Sequence, residues 1–191
     1  MTTQVSIANR ALTLIGANRI LNLTDQTPEA QSVNNLWDDT LRSVLFEAPW
    51  GFALKRANPN RLAIEQAWGD WYSFELPNDL VRVVDVSPRS TRWRIEGNKL
   101  LCKEESVGIL YVCMERTVSK YTPAFVDALT YKLAADICYE LTNSEGKTSA
   151  LLQLYKGEFL PMAKSKNAQD KTPEQVEDNF WIDSVYGARW D

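Results

Sequence analysis

The chain contains no histidine. That removes the commonest general base, the commonest metal ligand and every Ser-His or Cys-His nucleophile pair. Carboxylate, lysine and thiol chemistry remain, and the spacing of those residues argues against each. Asp38 and Asp39, like Glu104 and Glu105, are adjacent, whereas an acid/base pair must converge on a substrate; both pairs read as solvated surface. Cys102, Cys113 and Cys138 are odd in number, lack Cys-x-x-Cys spacing and sit in apolar or mixed runs. They read as reduced, mostly buried thiols. The stretch SEGKTS holds Gly-Lys-Thr but lacks the upstream glycine and strand of a phosphate-binding loop. No zinc, EF-hand or nucleophile-elbow spacing occurs, so no catalytic, cofactor-binding or metal-ligating residue is expected.

Recognition chemistry is better represented. Residues 89–94, RSTRWR, interleave three arginines with Trp93. On an alternating strand Arg92 and Arg94 share one face while Trp93 points to the other. Such a strand suits a polar outer face over a packed tryptophan, contact with an acidic protein partner, or stacking on nucleic-acid bases. A second group closes the chain: Phe180, Trp181, Ile182, Val185, Tyr186, Arg189 and Trp190 follow a long polar stretch. It reads either as a short helix folding back on its own chain or as a tail that docks on another subunit or protein. Trp, Tyr and Arg are the residue types that anchor interfaces. The partner-binding candidates are therefore Phe180, Trp181, Tyr186, Arg189, Trp190, Arg92 and Arg94.

A third stretch, FEAPWGFALKRA at residues 46–57, reads as a joint. Pro49 ends a helix, Gly51 lets the chain turn, and Trp50 and Phe52 wedge between helices and sheet. A ligand-binding bend or an interface are its competing readings.

The elements that must position these groups follow from periodicity. Val5, Ala8, Ala11, Leu12 and Ile15 recur at helical spacing, and Gly16 closes that helix in the left-handed conformation. Thr27 and Pro28 open a second helix whose stripe runs Ala30, Val33, Trp37, Leu41, Val44, Leu45 and Ala48. From Trp50 to about Arg116 the pattern becomes β-branched and alternating. This predicts about five strands in one antiparallel sheet, including a hairpin with Gly97 and Asn98 at its turn. Thr122 and Pro123 open a third helix to about Asn143. A fourth runs to about Asp170, with Leu151, Leu152, Tyr155, Phe159 and Met162 inward, and Pro161 kinks it or ends its regular part.

The expected class is α+β. A four-helix bundle is built from both ends of the chain, residues 1–49 and 122–170, because no arm can bury its stripe alone. A small antiparallel β-subdomain, residues 50–121, is inserted between them, and residues 171–191 form a C-terminal docking tail. Across the 191 residues the net charge is −4, which argues against a protein whose main task is gripping phosphates. No apolar run approaches the roughly 20 residues of a membrane span, so no membrane contact is expected. The N-terminus reads as an amphipathic helix instead of a secretion signal, which predicts a cytoplasmic setting.

The series SIANRALTLIGANRILNL, PEAQSVNNLWDDTLRSVLFEAPWGFALKRA, FELPNDLVRVVDV, IEGNKLL and FVDALTYKLAADICYELTNS resembles tail tubular protein A of short-tailed bacteriophages and related prophages, a family of head-to-tail adaptors. It spans about residues 6 to 145. The resemblance implies a structural protein without catalysis or cofactor. Copies of it would form a ring of about twelve subunits between portal protein and tail nozzle protein. Its place would be the tail or neck of the virion, after assembly in the host cytoplasm. DNA would slide through the lumen unbound, past carboxylates drawn from Asp25, Glu29, Asp38 and Asp39. A head-completion or stopper protein of similar build, and a small nucleic-acid-binding module, are the alternatives.

Overall fold

A computed structural model describes residues 2–63 and 69–170. The chain is of mixed α+β class, with helices and two small antiparallel sheets. Helix α1 (Gln4–Ile15) opens on a reciprocal capping box between Thr3 and Ser6 and closes at Gly16, whose φ of 80° is left-handed. The connector beyond it is pinned by Asn9, which donates to the Ile20 carbonyl at 2.9 Å and accepts from the Ile20 amide at 2.8 Å. Helix α2 (Pro28–Phe46) starts on the Thr27 side chain with Pro28 in its first turn. It ends two residues short of the proline expected to stop it, with Glu47 as its C-cap.

A short 3₁₀ turn, Gly51–Ala53, leads into the strands. One sheet has the order β1 (Leu54–Ala57), β7 (Gly108–Cys113), β4 (Leu80–Ser87); the other runs β2 (Arg61–Leu62), β3 (Tyr72–Glu75), β6 (Lys99–Cys102), β5 (Trp93–Glu96). The described residues thus hold seven strands in two sheets, where the sequence predicts about five in one. Pairing between sequence neighbours is the usual default, and here β3 skips β4 to pair with β6 while β4 joins β7. The hairpin expectation holds: Gly97 (φ 53°) and Asn98 (φ 62°) form the two-residue loop between β5 and β6. Two consecutive positive φ values match the twist of the flanking strands.

Helix α3 (Pro123–Thr142), capped by Thr122, is the hub. It packs against α1, α2, α4 (Glu145–Leu154) and α5 (Leu160–Gln169), so both ends of the described chain meet on it. Its buried residues, from Phe125 through Leu129 and Leu133 to Ile137, surround most of its circumference, as expected of a helix with neighbours on several sides. Against α2, buried Ser32 and Thr40 bond Glu140 and Asp136. Those bonds satisfy polar groups in the contact and fix which turn of α2 faces which turn of α3.

Between α4 and α5 lies a single π turn, Tyr155–Phe159, closed by the Leu160 amide on the Tyr155 carbonyl. Pro161 follows in the first turn of α5, where a missing N–H is tolerated. The wide turn adds one residue and shifts the inward face by one position. Leu160, Ala163 and Asn167 are therefore buried, and Met162, expected inward, is 40% exposed.

Candidate functional site

The joint at Pro49–Phe52 combines a cluster of aromatic rings with a polar clip. Trp50 is fully buried, donates its indole N–H to the Val44 carbonyl at 2.9 Å, and sets its ring edge-on to Phe125 at 5.0 Å. Phe52 packs against Phe125 at 4.8 Å and Tyr121 at 5.3 Å, and Tyr121 meets Phe125 at 5.0 Å. Offset and edge-on pairs of this kind add about 0.5–1.5 kcal/mol each beyond burial. The rings close the gap between the end of α2, the start of β1 and the start of α3. The expected role of Gly51 is corrected: its φ is not positive, and an added Cβ would meet only Asn167 Oδ1 at 3.8 Å. Its N–H matters instead, since it donates to Asn167 Oδ1 at 2.8 Å while Asn167 Nδ2 donates to the Pro49 carbonyl at 3.1 Å. Lys164 adds an ion pair to Glu47 at 2.9 Å. Asn167, in the polar run KSKNAQ, carries no local signal of this role.

Charged groups link β1 and β7 to the start of β4, and one ties the end of β7 to α2. Asp79 accepts from Lys55 at 2.7 Å and from the Tyr111 hydroxyl at 3.1 Å. Partial burial opposes its charge, but those two bonds outweigh the cost and lower its pKa. Glu115, just past β7, is held harder. Burial works against its charge, yet bonds from Lys120 at 2.6 Å and the Thr117 amide at 2.9 Å bring its pKa down to about 2. Arg116 pairs with Asp38 on α2 at 2.8 Å.

In RSTRWR it is the tryptophan, not the arginines, that departs from expectation. Arg94 stacks over Trp71 at 4.6 Å and pairs with Glu96 at 2.9 Å, and Arg92 is exposed. Trp93, expected to be packed, is 39% exposed, and Ile95 beside it on the same face is 45% exposed. Both sit on β5, the outer strand of its sheet, so their face has a neighbouring strand on one side only. The other partner-binding candidates, Phe180, Trp181, Tyr186, Arg189 and Trp190, lie outside the described residues.

Of the four acids expected along a channel, three have local partners. Asp25 accepts from the Leu21 and Asn22 amides, Glu29 from Asn18, and Asp38 pairs with Arg116. Asp39 stands exposed on α2. The three cysteines are buried free thiols, and burial pushes Cys102 and Cys113 up. Among the described residues no cluster of His, Cys, Asp or Glu gathers where it could hold a metal ion. No helix there is long and apolar enough to cross a membrane.

A concave surface lies on the helices, apart from the joint. A groove of about 480 Å³ runs between α1 and α3, lined by Ser6, Arg10, Thr13, Leu14, Arg19 and Tyr131 among others. Nothing in the sequence patterns above marks it. Comparison with known proteins finds no matching family model and no significant match among curated proteins.

Proposed function

We propose that this chain is a structural protein of a bacteriophage virion, a head-to-tail adaptor whose copies form a ring between portal and tail nozzle around the DNA channel. Two things support the reading. The first is the resemblance carried by residues 6 to 145. The second, and the observation that carries it, is the way the chain is assembled. Helices from its two ends meet on α3, while all seven described strands branch off between α2 and α3. We read this order as a four-helix bundle with an inserted β-subdomain, for which PWGF would be the joint. A body of this kind has unlike flanks, which is what heterologous ring contacts require. Rigidity at the joint would keep the two parts at one angle in every subunit, and a closed ring needs a constant angle. The acidic balance suits a conduit that must not grip DNA.

The test is co-expression with the portal encoded alongside it, followed by electron microscopy of the purified assembly. A ring of this chain seated on the portal is expected, whereas the chain alone scatters light as a monomer. Failure to bind the portal, together with binding to the nozzle alone, would replace the adaptor reading with that of another neck component. A salt-sensitive shift of duplex DNA at physiological ionic strength would point to the nucleic-acid module instead.

A further inference from the structure

We propose that the groove between α1 and α3 is the seat of the acidic, aromatic segment Glu177–Ile182 of a second copy of this chain. The inference rests on the ring reading, which supplies the second copy.

The groove's chemistry selects such an occupant. Its hydroxyls are already committed to main-chain carbonyls: Ser6 to Thr3, Thr13 to Asn9 and Thr130 to Val126. They present carbon to the groove and add no strong polar demand. Leu14 is 41% exposed there, and Tyr131 is fixed by stacking on Phe159 at 3.7 Å. Two cations flank this apolar surface. Arg10 pairs with Asp127 at 2.6 Å but keeps half its side chain in water, so its fork retains donors for a second acid. Arg19 is exposed and has no acidic partner among the described residues. Its backbone is nevertheless held, because the next residue, Ile20, is clipped twice by Asn9. A positioned, unneutralised arginine beside an exposed leucine and a half-buried tyrosine, in a chain of net charge −4, marks a place for an acidic ligand with an apolar anchor.

The chain itself contains that ligand. Residues 171–191 carry five acids against two cations, and Glu177-Asp178-Asn179-Phe180-Trp181-Ile182 sets two carboxylates directly before two large rings. A volume of about 480 Å³ lies within the roughly 300–1,000 Å³ of ligand-sized pockets and takes one such ring with its neighbour. The path favours another copy over the same one. Phe159 stacks on Tyr131, which lines the groove, and α5 then leads away for about 12 Å to Asn167 beside Pro49. The described chain thus ends near the joint, on a course away from its own groove. Trp181 lies eleven residues beyond Asp170, a reach of up to roughly 40 Å when extended, enough to bridge to a neighbour.

The test places a photoreactive p-benzoylphenylalanine at Trp181 in the full-length chain assembled on the portal. Cross-linked dimers whose adducts map to Leu14 or Tyr131 are expected, and Arg19→Glu should cut their yield at least tenfold. Adducts within single chains, adducts to the portal, dimers joined elsewhere, no adducts, or indifference to Arg19→Glu would each overturn the proposal. Electron microscopy of the same samples keeps the two readings apart. Rings without groove adducts refute the docking site and leave the ring standing. Groove dimers without rings support the site and sink the ring, and the absence of both sinks the two together.

Discussion

Replacing Trp50 by alanine tests whether the joint holds the two parts of the fold together. The indole is fully buried, and large aromatic side chains bury about 150–250 Å². At about 25 cal/mol per Å² this is roughly 4–6 kcal/mol, an upper figure because the unfolded chain already hides some of that area. The indole N–H bond to the Val44 carbonyl adds about 1 kcal/mol. Its loss does not orphan that carbonyl, which also receives the Glu47 amide at 3.2 Å. Phe125 and Phe52 would lose a ring neighbour and close only part of the space, because Phe125 is itself fixed on α3. The expected cost is therefore about 3–5 kcal/mol, the usual range for large aromatic-to-alanine changes in a core. Trp50→Phe, which keeps a ring against Phe125 but drops the N–H, should cost about 1–2 kcal/mol.

For a chain of this size each kcal/mol moves the melting temperature by about 2–4 °C, so Trp50→Ala should melt about 6–20 °C below wild type. Circular dichroism melts and urea titrations of wild type and both variants measure this. The urea slope should stay the same, since the surface exposed on unfolding hardly changes. A shift below about 2 °C for Trp50→Ala, or equal losses in both variants, would refute the reasoning.

Four further outcomes follow. Glu115 has a folded pKa lowered from 4.5 to about 2, so its charged form stabilises the fold above about pH 4.5 and that contribution is lost as pH falls through about 2. The gap converts to roughly 3 kcal/mol, which half-exposed Lys120 reduces to about 1–2 kcal/mol. Glu115→Gln should be less stable than wild type near neutrality by that amount, with the difference more than halved at about pH 3; a constant difference by urea titration would contradict this. Asn167→Ala removes both clip bonds and leaves the Gly51 N–H unpaired, an expected loss of about 1–3 kcal/mol with faster amide exchange at Gly51, and unchanged exchange would count against the clip. Reversing the hairpin pair, by Gly97→Asn together with Asn98→Gly, should raise stability by about 0.5–1 kcal/mol, because asparagine before glycine suits this loop best and position 97 has open space for a side chain; a lower melting temperature would contradict the turn assignment. Deleting Gly157 should close the π turn to an α turn that keeps Leu160, Ala163 and Asn167 inward, so it should cost less than about 1–2 kcal/mol, and a loss above about 3 kcal/mol would show that the wide turn is not a one-residue insertion.

Local chemistry made much of this fold legible. Thr27-Pro28 and Thr122-Pro123 announce α2 and α3 because an N-cap hydroxyl and a first-turn proline act through bonds made within four residues. Gly97-Asn98 marked its turn for the same reason, since left-handed backbone favours those residues. Strand pairing was less accessible, because it is decided by contacts between residues far apart in sequence. Leu54 against Val112 and Tyr72 against Cys102 leave no trace in either local pattern. Of the joint, Trp50 and Phe52 stood out by size and company, whereas Asn167 works across more than a hundred residues and looks like any polar surface position. Trp93 misled for a related reason: alternation tells which residues share a face, not whether another strand covers that face at the sheet's edge.

The π turn links these observations. With regular α geometry from Tyr155 onward, the inward positions would be near 159, 162 and 166, which would bury Lys166 and turn Asn167 outward. One added residue rotates everything after it by about 100°, so that Leu160 and Ala163 fill the contact with α3 and Asn167 reaches Gly51. Pro161 fits this turn well. Its ring would clash with the carbonyl four residues back in a tight helix, and the widened turn just before it moves that carbonyl aside. The same single-residue insertion that excludes Met162 from the core therefore aims the end of α5 at the joint, so the exposure of Met162 and the Asn167 clip share one cause.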